Sequence, residues 1–257
     1  MRPEFQQHPD PETLSHGAAV FVTGLAEESV ERTGLFTFVL AGGRTPSTLY
    51  ERLARPPFVT RMPWSSVHFF WGDERCVSPE HPESNFGMAF QTLIAKVPVP
   101  PENIHRMPGD AATPEQGAEA YERLLREFFR SLSDSGRPSP SDARDQDFPA
   151  FDLIMLGVGT DGHTASLFPK DPLLEERQRW VGPVRHPRGS PSVPRITLTL
   201  PVINHARCVL FLVSGTEKKD VIRSIRNDPV TARRRYPAAM VRSRGRVVWF
   251  LEKTTLE

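Results

Sequence analysis

Long apolar runs are missing from this 257-residue chain. No stretch reaches the roughly 18 consecutive apolar residues that a membrane-spanning helix needs, so no membrane is expected as a partner. The amino end, MRPEFQQHPDPETL, has no apolar signal core, which points to a cytoplasmic protein. Cysteine is scarce. Cys76 and Cys208 lie far apart without a partner at zinc-ligand spacing, so reduced thiols are expected. His68, His81, His105, His186 and His205 are scattered, with no i, i+4 pair suited to a metal, and none is assigned. Charge of a single sign is missing too. There are 32 Lys and Arg against 31 Asp and Glu, net +1, and the longest basic run is Arg233, Arg234 and Arg235. Neither a nucleic-acid groove nor a membrane-binding face fits that balance. Small-molecule chemistry is what such a composition leaves.

What the chain does have is apolar runs of strand length, at 35–40, 67–71, 151–156, 208–213 and 247–251. Their apolarity is continuous rather than alternating, as in strands covered on both faces. Helical patterns lie between them. The clearest opens at Thr113, with Pro114 at the first helical position and Gln116 completing a capping box. Its residues Ala118, Tyr121, Leu124, Leu125, Phe128 and Phe129 share one face. Strands alternating with helices imply an α/β fold of three layers, α/β/α, around a mostly parallel, Rossmann-like sheet. Residues 131–150, rich in Ser, Asp and Pro, read as a flexible insertion within a single domain spanning 1–257. The Pro-rich stretch 182–194 reads as a loop, leading into a strand-like RITLTL.

Three strand ends carry chemistry. After the first run come Gly42, Gly43, Arg44 and Thr45, with Pro46 able to begin a helix. Glycines there let backbone approach a ligand, and a helix start attracts an anion such as phosphate. The nucleotide P-loop pattern is absent, because its second glycine and its lysine are missing. After the second run come Asp73, Glu74 and Arg75, where open α/β sheets place ligands. Ser84 is expected to cap the next helix, with Phe86, Phe90, Leu93 and Ile94 facing the core. After the third run, LGVGTDGHTASLFP contains G-x-G-x-x-G at Gly157, Gly159 and Gly162. A dinucleotide site needs a long helix there, and Pro169 would cut it short, so the fingerprint reads as accidental. The turn instead carries Asp161 beside His163, an arrangement suited to a general base oriented by a carboxylate. Cys76 next to Arg75 is a weaker candidate, as a nucleophile.

The segments AGGRTPSTLY, FFWGDERCVSPEHPESNFG, LGVGTDGHTASLFP and RITLTLPVINHARCVLFLVSGTEKKD, in this order over nearly the whole chain, resemble the 6-phosphogluconolactonases. The resemblance implies hydrolysis of 6-phosphoglucono-δ-lactone to 6-phosphogluconate in the oxidative pentose phosphate pathway, without metal or organic cofactor. It also implies the fold of the sugar-phosphate isomerases and deaminases, including glucosamine-6-phosphate deaminase and ribose-5-phosphate isomerase. The Gly42, Gly43, Arg44, Thr45 turn matches the family's phosphate loop, with Ala41 and Arg44 where serines often stand. Whether Arg44 itself contacts phosphate stays open at this point. Arg195 and Lys218 match phosphate-gripping positions, with Lys219 a near neighbour of the latter. Asp73 and Arg75 match the family's G-D-E-R, with Asp73 expected to bind substrate and Arg75 expected to be catalytic, stabilising the oxyanion, and His163, supported by Asp161, matches the catalytic base. In the related deaminases an acidic residue precedes the proline, where this chain has Leu167 and Phe168, which favours the lactonase over an isomerase or deaminase. A non-catalytic sugar-phosphate sensor is the other rival. The short segment before Leu14 is expected to hold no helix-turn-helix. Oligomeric state is not legible, and a monomer is compatible with the chain.

Overall fold

The continuous apolar runs become strands buried on both faces. In the computed structural model, which describes residues 3–134, 148–185, 187, 189 and 191–256, the strands are β1 (Glu4–His8), β2 (Phe36–Leu40), β3 (Val67–Trp71), β4 (Asp73–Arg75), β5 (Leu153–Leu156), β6 (Val181–Val184), β7 (Arg195–Leu198), β8 (Cys208–Val213) and β9 (Arg246–Glu252). Six of them form one sheet in the order β1-β9-β8-β5-β2-β3. Every pairing in it is parallel. All residues of β2, β5 and β8 are buried, which is why those strands show no alternation. Helices α1 (Pro11–Thr33), α2 (Arg44–Leu53), α3 (Phe58–Arg61), α4 (Asn85–Thr92), α5 (Pro114–Asp134), α6 (Leu200–His205), α7 (Lys219–Asn227), α8 (Pro229–Arg235) and α9 (Pro237–Met240) flank the sheets.

Helix α1 is capped as its sequence dictates. Asp10 accepts from the Thr13 amide, and Gly34 closes the other end at φ 78°. It packs on β1, β2 and β9. Thr113 likewise accepts from the Gln116 amide at 3.2 Å to start α5. The expected face of α5 is inward, and its Tyr121 hydroxyl accepts from the Trp71 amide at 2.9 Å, tying α5 to β3.

Three features differ from the sequence expectation. First, β4, β7 and β6 make a separate antiparallel sheet. Its β6 runs into the stretch 182–194 read as a loop, because an edge strand tolerates Gly182 and Pro183 where a central one would not. Second, residues 131–134 continue α5, with Leu132 buried, and 135–147 of the expected insertion lie outside the described residues. Third, Phe90 is 44% exposed rather than in the core, stacking on Phe86, which in turn packs on Trp71. No helix follows β5 directly, in keeping with an accidental glycine fingerprint; the next helical turn is a 3-10 turn at Pro172–Glu175.

Candidate active site

The chain leaves β2 for β3 on one side and continues from β5 to β8 on the other, while β2 and β5 are themselves neighbours. Such a reversal opens a crevice at the carboxyl ends of the strands. The turn after β2 enters it. The buried Tyr50 hydroxyl accepts from the Ala41 amide at 3.0 Å and donates to the Ala41 carbonyl at 2.9 Å, which fixes that turn. Gly43, at φ 106°, stands at the start of α2 with no side chain capping it. The first amides of α2 therefore face outward, as an anion requires. Gly42 has no room for a side chain, since a Cβ would lie 1.8 Å from Asn85 Oδ1.

Gly72 joins the two sheets. Its amide donates to the Leu40 carbonyl at 3.0 Å and its carbonyl accepts from the Leu198 amide at 2.8 Å. Strand β4 then pairs with β7 so that Asp73 faces Thr197, Glu74 faces Ile196, and Arg75 faces Arg195. Glu74 points away from the cavity and accepts from the amides of Arg75, Asn85 and Phe86 at 2.7–2.8 Å and from Ser84 Oγ at 3.2 Å. Burial pushes its carboxyl up to about 7, against the pull of those amides. Ser84 caps α4 as expected, accepting from the Gly87 amide at 3.0 Å. Arg75 is held by the Glu83 carbonyl at 2.6 Å and lies 3.7 Å from the Glu83 carboxylate.

Beyond β5 the turn brings Asp161 Oδ1 to 2.6 Å from His163 Nδ1 and 3.0 Å from the His163 amide. Burial alone would raise the Asp161 carboxyl, but the bonds from His163 outweigh it and hold the carboxyl below its ordinary range. Gly159 is obligatory beside this pair, because a Cβ there would meet His163 Nδ1 at 2.1 Å. The His163 ring packs on Phe168, centroids 4.6 Å apart. After β8, a 3-10 turn at Thr216–Lys218 carries Lys218, whose Nζ donates to the Ser214 carbonyl at 2.9 Å. Burial lowers its pKa, Glu217 opposes that, and the nearby charge of Arg44 lowers it further.

One cavity of about 190 Å³ gathers these groups. Gly42, Gly43, Arg44, Thr45, Asp73, Arg75, His163, Arg195 and Lys218 all line it, and Asp161 stands behind His163. Lys219 begins α7 and is not in the lining, so geometry separates it from Lys218. Cys76 offers no nucleophile, since burial and the charges of Glu74 and Glu115 push its thiol up to about 11. A wider groove of about 640 Å³ runs past Phe168, Lys170, Glu176 and Arg185 but contains none of the expected site residues. Sequence reasoning missed Asn85 and Ser166. Asn85 lines the cavity and donates to the Asp73 carbonyl at 2.8 Å, while Ser166 Oγ donates to Asp73 Oδ2 at 2.6 Å. Both are plain polar residues inside motifs, without a spacing that marks them.

The chain as a whole has counterparts among known proteins. Residues 9–249 match the family described as glucosamine-6-phosphate isomerases/6-phosphogluconolactonase. A 6-phosphogluconolactonase of Synechocystis is 41% identical over 253 residues, covering 98% of this chain and 97% of the relative. The crystal structure of 6-phosphogluconolactonase from Thermotoga maritima superposes with a TM-score of 0.79 at 32% identity, over 98% of this chain and all of the other. The 6-phosphogluconolactonase structure from Trypanosoma brucei gives 0.84 at 28% identity, over 99% and 97%. The chain belongs to the glucosamine-6-phosphate isomerase/6-phosphogluconolactonase family, on the 6-phosphogluconolactonase side of it.

Proposed function

We propose that this chain, as one α/β domain, hydrolyses 6-phosphoglucono-δ-lactone to 6-phosphogluconate, an early step of the pentose phosphate pathway. The observation that carries the reading is the single cavity where the His163–Asp161 pair meets Arg44, Arg75, Arg195 and Lys218. A cavity so cationic suits a phosphorylated substrate that becomes more anionic during the reaction.

The roles follow from position. The α2 amino end, with Gly43, Arg44 and Lys218, takes the phosphate and supplies remote binding energy that places the lactone carbonyl. His163 Nδ1 donates its proton to Asp161, which leaves the Nε2 lone pair as the base. Nε2 removes a proton from water as its oxygen bonds to the carbonyl carbon. The carbonyl π electrons move to oxygen, and Arg75 stabilises that oxyanion. When the oxyanion collapses, the bond from carbon to the ring oxygen breaks, and the imidazolium returns its proton to that oxygen. The products are a neutral His163 and an open-chain acid.

Phe168 argues against the isomerase or deaminase alternative. An aromatic ring packs on His163 where ring-opening chemistry would use a carboxylate. A cytoplasmic location belongs to the same proposal, in keeping with the free thiols of Cys76 and Cys208; no described helix is long and apolar enough to cross a membrane.

The test is loss of freshly generated 6-phosphogluconolactone, read by coupled dehydrogenase, with unphosphorylated gluconolactone and glucosamine 6-phosphate alongside. Phosphate-dependent hydrolysis well above the spontaneous rate is expected. Turnover of glucosamine 6-phosphate without lactone hydrolysis would overturn the reading.

A further inference from the structure

Ser166 sits three residues beyond His163 and is fully buried. Its backbone amide donates to Thr197 Oγ1 at 3.2 Å, on the strand opposite Asp73. Its hydroxyl has one proton, which goes to Asp73 Oδ2 at 2.6 Å. The lone pairs then accept, and Arg195 Nη1 approaches the same oxygen at 3.4 Å. Asp73 and Arg195 are themselves 7% and 3% exposed, and both line the cavity. The other Asp73 oxygen accepts from Asn85 Nδ2 at 3.3 Å. Both oxygens of this carboxylate are therefore engaged by the protein.

The turn that delivers Ser166 is built for the purpose. Its Leu167 amide donates to the Thr164 carbonyl at 2.9 Å, and Ala165 adopts φ 47°, a conformation that L-residues rarely occupy. From the same turn, the Phe168 ring lies under the Arg195 guanidinium at 5.6 Å and against His163 at 4.6 Å. One short segment thus touches the catalytic base at one end and the antiparallel platform of cations at the other.

We propose that Ser166 is a positioning residue. It joins Asp73 to Arg195, so that the carboxylate holds the guanidinium at the cavity and does not itself act on the substrate. Asp73 thereby changes from a substrate ligand to the anchor of one. This rests on the lactonase reading above and adds to it a residue that reaches the substrate only through Arg195.

The test is a double-mutant cycle in the full chain, with Ser166→Ala, Asp73→Asn, and both together. The readouts are steady-state hydrolysis and calorimetric binding of 6-phosphogluconate. Ser166→Ala is expected to raise KM and weaken product binding about ten-fold, the worth of one hydrogen bond to a charged group, with kcat changed much less. Ser166→Thr, which keeps the hydroxyl, restores binding. Ser166→Ala should add almost nothing once Asp73→Asn is present, because both variants break the same joint. Unchanged KM and product affinity in Ser166→Ala, or fully additive losses, would overturn the proposal. Should Ser166→Ala not fold, Ser166→Cys, which keeps the size of the side chain but replaces the hydroxyl with a weak thiol donor, takes its place in the same cycle with Asp73→Asn. A wild type that binds 6-phosphogluconate without hydrolysing lactone would overturn the enzymatic reading and leave the joint still measurable by binding.

Discussion

Arg75 and Arg195 stand directly opposite each other across the β4–β7 pair. Like charges at facing positions destabilise a sheet, and burial and the charge of Arg75 both work to lower the Arg195 pKa, against the pull of Asp73. The arrangement makes sense when an anion completes it. Arg75 is restrained by Glu83 and Arg195 by the Asp73–Ser166 pair, so both guanidiniums are aimed before substrate arrives. Arg44 and Lys218 repeat the pattern on the other wall of the cavity, where the charge of Arg44 acts on Lys218.

The proposed base, His163, is the first residue to remove. His163→Ala is expected to lower kcat about 10²- to 10⁴-fold with little change in KM, since proton transfer is felt only in the transition state. Asp161→Asn should lower kcat too, because the amide can hold His163 in the wrong tautomer. Stopped assays over the spontaneous background read both. A KM effect with unchanged kcat would remove His163 from the chemical step.

Much of this site could be read from the sequence because its parts sit at strand ends. A continuous apolar run followed by glycine, or by Asp-Glu-Arg, announces the end of a buried strand and what it presents. The antiparallel sheet was hidden for the opposite reason. Strand β4 consists of three charged residues and β6 contains Gly182 and Pro183, so neither shows strand periodicity. Contacts such as Ser166 to Asp73, or Asn85 against Gly42, join segments brought together only by the fold. No local pattern encodes them.

Lys218 gives the site an alkaline limit. Its pKa lies below the ordinary lysine value of 10.5, with burial the leading cause. In the role proposed for Lys218 the phosphate pairs with its ammonium form, so affinity is full below the Lys218 pKa and falls as pH rises through it. Calorimetry with 6-phosphogluconate, which avoids the base-labile lactone, should show weakening in the alkaline range, at lower pH than a lysine of ordinary pKa would give. Lys218→Arg keeps its charge across that range and should flatten the profile. An equal decline in Lys218→Arg would place the titrating group elsewhere.

Asp152 provides a stability change remote from catalysis. It is buried immediately before β5. Its Oδ2 accepts from the Thr37 amide at 3.0 Å and hydroxyl at 2.8 Å, and Oδ1 pairs with Arg32 at 3.0 Å. Asp152→Ala should cost about 2–4 kcal/mol in urea unfolding, because those donors lose their acceptor. The kcat of the folded fraction should match wild type.

Two glycines, finally, should respond in opposite directions to the same added methyl group. At Gly42 a Cβ would overlap Asn85 Oδ1 at 1.8 Å, and Asn85 cannot retreat, being buried and bonded to Asp73 and Glu74. Gly42→Ala is therefore expected to destabilise the protein by about 1–3 kcal/mol, as overpacking does. It should also raise KM by displacing the turn at the start of α2. At Gly24, inside α1, a Cβ meets nothing within 4 Å. Gly24→Ala should stabilise the protein by about 0.5–1 kcal/mol through helix propensity and leave KM untouched. Thermal melts with kinetics on both variants check the pair. A neutral Gly42→Ala with wild-type KM would mean that the tight fit between the turn and Asn85 has no part in substrate binding.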